Sequence, residues 1–100
     1  MDDGVSITVD YMFKPGYADG FCELIPSLLP DTAKFEGFRS IKVVRHGTNP
    51  DRVMLIEEWD SEEHYKKYIA WRTERGDMEK TAQLLVDGRT DVWPVFVAKA

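Results

Sequence analysis

The stretch Arg52–Arg72, RVMLIEEWDSEEHYKKYIAWR, constrains the fold more than any other part of this chain. Val53-Met54-Leu55-Ile56 is apolar at every position, which predicts a strand covered on both faces rather than one with a wet side. Glu57, Glu58 and Trp59 are expected to return the chain to the surface. Asp60 and Ser61 then stand where a turn and a helix N-cap belong, with Glu62 and Glu63 facing the positive end of the helix dipole. Glu62 with Lys66, and Glu63 with Lys67, are spaced as i,i+4 pairs in the favourable order. Tyr65, Tyr68, Ile69 and Arg72 form one helical row, and His64, Tyr68 and Trp71 its neighbour. The helix therefore buries rings that can also hydrogen-bond. Gly76 is the expected C-terminal stop.

The rest of the chain supplies partners for this unit. Val5 to Phe13 alternates cleanly, with Val5, Ile7, Val9, Tyr11 and Phe13 on one face. Lys14-Pro15-Gly16 breaks it. A helical pattern follows from about Tyr17, with Phe21, Leu24, Ile25, Leu28 and Leu29 as its inner row. Pro26 and Pro30 are expected to bend or divide it before Phe35. Phe38 to His46 reads as a second strand, and the turn-rich 47–51 loop predicts an antiparallel hairpin with the central strand. Asp77 is placed to cap a short third helix with Met78, Thr81, Ala82 and Leu85 inside, closed by Asp87-Gly88. Val92 to Val97 is the last strand, with Pro94 marking an edge or a bulge.

That order, strand, helix, hairpin, helix, strand, predicts an α+β, ferredoxin-like antiparallel sheet with its helices on one face. Residues 1–100 are expected to form one domain around one core. The other face of the sheet then lacks cover. Met54 and Ile56, or their alternating partners Val53 and Leu55, would be exposed there beside Met12. Apolar area of that kind predicts an interface, most simply a two-fold homodimer packing sheet on sheet.

Composition excludes several functions. A hydrophobic share of 43% and a charged share of 31% are those of a folded globular chain. The net charge of −5, without a basic run, argues against nucleic acid or an anionic membrane as partner. No apolar stretch approaches the roughly 20 residues that span a bilayer. Met-Asp-Asp-Gly does not begin as a secretion signal does, and the single cysteine, Cys22, has no internal partner. The expected location is the cytoplasm.

Several motifs occur together in order. Phe13-Lys14-Pro15-Gly16 follows the first strand, and Phe35-Glu36-Gly37-Phe38 precedes the second. Asn49-Pro50 lies in the hairpin, Ile56-Glu57-Glu58-Trp59-Asp60-Ser61 at the strand–helix junction, and Tyr68-Ile69-Ala70-Trp71-Arg72 in the helix. With them the chain resembles, over roughly Val5 to Val97, the antibiotic biosynthesis monooxygenase family of dimeric ferredoxin-like α/β-barrel proteins. The resemblance implies a dimer. It also implies oxidation of quinols or polyphenols to quinones by dioxygen, with no metal, flavin or other cofactor. It extends to haem-degrading relatives, whose pattern of a helix Trp, a later His and a first-strand Asn is missing here: Tyr68 stands at the helix position. A non-catalytic small-molecule-binding or stress-related dimer of the same fold is the alternative.

Oxygenation without a cofactor needs a dry pocket, help with deprotonation and stabilised negative charge. The residues suited to this are His64, Tyr68 and Arg72 as catalytic groups, with Trp71, Tyr11 and Phe13 contacting the substrate. Each has a plainer reading. His64 suits a base near neutral pH or a helix-start residue half in water. Tyr68 and Trp71 suit pocket walls or core packing. Arg72 suits a phenolate, or a salt bridge to Glu57 or Glu58. Tyr11, Phe13 and Trp93 are strand aromatics that also serve a core or an interface, Trp59 suits a structural plug, and His46 is expected in solvent. Neither histidine has a metal-ligand partner at useful spacing, and Cys22 has no base beside it.

Overall fold

The structure, a computed structural model, describes residues 3–100. Its elements are β1 (Val5–Phe13), α1 (Ala18–Ala33), β2 (Phe38–Arg45), β3 (Arg52–Trp59), α2 (Glu62–Glu74), α3 (Asp77–Ala82) and β4 (Leu85–Trp93). The four strands form one sheet in the order β2-β3-β1-β4. Every neighbouring pair is antiparallel. This is the ferredoxin-like arrangement expected from the element order.

The core lies between the sheet and the helices. It is built from Val5, Ile7, Val9 and Phe13 of β1, Val53, Leu55 and Trp59 of β3, Phe21 of α1, and Tyr65 and Tyr68 of α2. Burial alternates along β3, so Val53, Leu55, Glu57 and Trp59 turn inward while Met54, Ile56 and Glu58 turn to the open face. Glu57 thus departs from the expected return to the surface: it is 2% exposed. The strand continues through Trp59 because β1 pairs with it out to Val5 and β2 out to Phe38.

Ser61 caps α2 as expected, its hydroxyl accepting from the His64 backbone N–H at 3.2 Å. Neither proline divides α1, which runs unbroken through Pro26 and Pro30. Each removes one intrahelical donor, but Phe21 packs against Tyr11 and Phe13 of the sheet and Thr32 bonds to Tyr68 and Arg72 of α2, which hold the helix at both ends. Leu24, expected inside, is 55% exposed.

The third helix is shorter than expected. It ends at Ala82, buries none of its residues and is preceded by Gly76 rather than capped by Asp77. Leu85 to Gly88, expected to finish that helix, already pair with β1. β1 offers free backbone groups out to Phe13, and ladder bonds to them replace a further helical turn. β4 then stops at Trp93, short of the expected Val97, because Pro94 has no N–H to give. No helix among the described residues is long and apolar enough to cross a membrane.

Candidate functional site

Between the inner sheet face and the helices lies a cavity of about 80 Å³. One water needs roughly 10–15 Å³ on this measure, so the space takes a small solute. Its walls combine apolar side chains with Tyr11, Glu57, Tyr65, Tyr68 and Arg72. Phe21, Leu28, Asp77 and Thr81 line both this cavity and a wider surface groove between α1 and α3.

Arg72, on the inner row of α2, is 4% exposed and fixed from several sides. Its Nε donates to the Tyr68 hydroxyl at 3.0 Å and its Nη1 to Asp77 at 3.0 Å. Nη2 donates to the Leu28 carbonyl at 2.9 Å and to Thr32 Oγ1 at 3.0 Å. Burial works against its charge, but the bonds to Tyr68 and Asp77 outweigh this and hold its pKa above the ordinary arginine value. The expected salt bridge to Glu57 or Glu58 is replaced by the one to Asp77. The Tyr68 hydroxyl lies 2.9 Å from Thr32 Oγ1 as well, so α1 and α2 are tied together across the cavity's end.

Glu57 is opposite in character. Its strand neighbours across the sheet are Ile7 and Ile41, and Trp59 Nε1 donates to its Oε1 at 3.0 Å. Burial raises its pKa above the usual carboxylate value, and the Trp59 hydrogen bond offsets this only in part. Tyr11 is pushed up to about 12 by burial first and by the negative charge of Glu57 next. Tyr65 is raised by the same two causes. Both phenols therefore stay protonated near neutral pH and serve as donors.

Of the residues singled out in the sequence, Tyr11, Tyr68 and Arg72 come together on the cavity wall. Phe13, His64 and Trp71 do not line it. Phe13 is sealed against Tyr11 and Phe21, at ring distances of 5.9 and 4.9 Å. His64 points its ring at the Gly37 turn, with Nδ1 2.7 Å from Ser61 Oγ. Trp71 stacks outside, with the Arg72 and Arg75 guanidinium carbons 4.7 and 4.8 Å from its ring centre. Sequence reading passed over Glu57 and Tyr65 as site residues. The period-2 series Val53, Leu55, Glu57, Trp59 was the available signal for Glu57. Among the described residues no three His, Cys, Asp or Glu side chains group as metal ligands.

The sequence profile described as "Antibiotic biosynthesis monooxygenase" matches residues 4–74. The chain belongs to the antibiotic biosynthesis monooxygenase family. Solved structures agree with it in fold. A conserved protein from Methanosarcina mazei Go1 superposes with a TM-score of 0.79 at 21% identity, covering 90% of each chain. Protein SO0527 from Shewanella oneidensis gives 0.80 at 15% identity, over 93% of this chain and 91% of its own. SnoaB, a cofactor-independent oxygenase from Streptomyces nogalater, gives 0.77 at 14% identity, over 98% of this chain and 95% of its own. Identities this low establish the shared fold and nothing finer. No curated relative matches the sequence.

Proposed function

We propose that this family member is a cofactor-independent monooxygenase that oxidises a small aromatic quinol or polyphenol with dioxygen, acting as a homodimer. The observation that carries this reading is the cavity wall itself, in which Tyr11, Tyr65, Tyr68 and Arg72 stand among apolar side chains under the helices. Such a wall excludes water, holds a ring and offers donors to a developing phenolate oxygen. The chemistry balances without an external reductant. One phenol and one dioxygen give one quinone and one water, with a ring C–H becoming C=O and the substrate supplying all four electrons. SnoaB, named as a cofactor-independent oxygenase, supports the class by likeness of fold.

The dimer is supported by the open sheet face, where Met12, Met54, Ile56 and the 57%-exposed Trp93 lie across neighbouring strands. Beyond Pro94, Val95, Phe96 and Val97 are exposed too. Oxygen uptake with a panel of quinols, in metal-free buffer containing catalase, tests the activity. Uptake at the buffer rate across the whole panel would leave a small-molecule-binding dimer in its place.

A further inference from the structure

We propose that Glu57 is the catalytic proton acceptor of this cavity and that it selects uncharged phenols over aromatic anions. The inference rests on the oxygenase reading above and adds to it a base and a substrate class.

Placement is the first ground. Glu57 sits at the middle of the inner sheet face, between Ile7 and Ile41, and lines the cavity. Trp59 Nε1 holds Oε1 at 3.0 Å. Among the described residues no sealed side-chain oxygen or nitrogen lacks a partner, and no hydrogen bond reaches Oε2 within them. Oε2 is therefore the oxygen that opens on the cavity.

The second ground is charge. The titratable and charged groups that share the cavity wall with Glu57 are Tyr11 from β1, Tyr65, Tyr68 and Arg72 from α2, and Asp77 from α3. Among the described residues Arg72 is the sole cation in the wall, and its guanidinium is engaged by Tyr68, Thr32, the Leu28 carbonyl and Asp77. No ion pair within the described residues involves Glu57. A buried carboxylate among isoleucines with one neutral donor costs stability. Tyr11 and Tyr65 hold their protons too firmly to act as bases. Glu57 remains the acceptor, with a proton affinity moved towards that of the group it must deprotonate.

The step moves one proton. The phenol O–H breaks, its electron pair stays on the phenolate oxygen, and an O–H forms on Glu57 Oε2. The cavity's net charge is unchanged, so no buried charge is created. A ligand that arrives as a carboxylate would instead set a second negative charge beside Glu57. The site therefore takes neutral hydroxylated rings.

Anaerobic calorimetry with hydroquinone and para-hydroxybenzoate on the wild-type protein tests the selection without any variant. Near neutral pH hydroquinone should bind at least about tenfold more tightly, since juxtaposed like charges are costly. Equal affinities, or no binding of hydroquinone, would overturn the proposal. Glu57→Gln, which keeps an acceptor for Trp59, should abolish that preference. It should also lower the oxygen-uptake rate on the order of 10²–10⁴-fold and remove the acid limb of the pH–rate profile. A variant that retains the wild-type rate and limb overturns the base while leaving the oxygenase reading intact. Selective binding without oxygen uptake by the wild type overturns the oxygenase reading and the base with it, leaving the selection.

Discussion

Arg72 Nε donates to the Tyr68 hydroxyl at 3.0 Å, four residues back on the same buried row of α2. The guanidinium also reaches α1 through Leu28 and Thr32, and α3 through Asp77. One side chain thereby holds three helices around the cavity's end, and several outcomes can be measured from it and from its neighbours.

Arg72→Lys keeps the charge but not the planar fork, so it leaves some of these acceptors without a partner. Urea denaturation should show a loss on the order of 2–4 kcal/mol, as for a broken buried polar network. A loss below about 0.5 kcal/mol would mean that the network is not a stabilising one.

Tyr68→Phe removes a hydroxyl that meets both Arg72 and Thr32. A stability loss of about 1–2 kcal/mol is expected from the partners left behind. If that hydroxyl also meets the substrate oxygen, kcat/KM for quinol oxidation falls by about tenfold or more; unchanged kinetics would remove it from the mechanism.

The raised pKa of Glu57 has a definite sign in stability. The folded state binds this proton more firmly than the unfolded chain, whose carboxyl sits near the ordinary value of 4.5. The favourable contribution is full below that value and is lost as pH rises through the folded pKa. The melting temperature of Glu57→Gln, compared with wild type, should therefore improve steadily from acid towards neutral pH. A difference that stays flat across this range would mean that Glu57 is not perturbed by burial.

Gly37 has φ +87°, and a Cβ there would run into the His64 ring. Gly37→Ala must both strain the backbone and push His64 off Ser61. Thermal unfolding should report a cost of about 1–3 kcal/mol. Because His64 does not line the cavity, the kcat of the surviving folded fraction should be close to wild type.

Ile56→Glu places a charge on the open sheet face, where Thr8 and Lys42 are its strand neighbours. The wild-type chain should sediment at twice its 11.5 kDa mass at micromolar concentration, and the variant as a single subunit. A wild-type particle of one subunit's mass would overturn the homodimer.

Much of the fold was legible because alternation and helical spacing are properties of neighbouring residues. The inward row of β1, the Ser61 cap and the Tyr65–Tyr68–Arg72 row follow from such local patterns. Errors fell where distant backbone competes with local propensity. Leu85 to Gly88 carry a plausible helix end, yet they lie beside the unpaired reach of β1 and join it instead. No local pattern contains that neighbour.

The site was legible in part for the same reason. Tyr68 and Arg72 share a helical face, so their meeting is encoded in the spacing of four. Glu57 was hidden because Val53, Met54, Leu55 and Ile56 are equally apolar on either side of the strand. The chain's own order of residues determined that Glu57 must share a face with Val53, Leu55 and Trp59. Which of β3's two faces lies under the helices was decided only by the packed molecule, since burial depends on what docks above a strand and not on the strand itself. That choice turned an ordinary acidic residue into a carboxylate shut away from water.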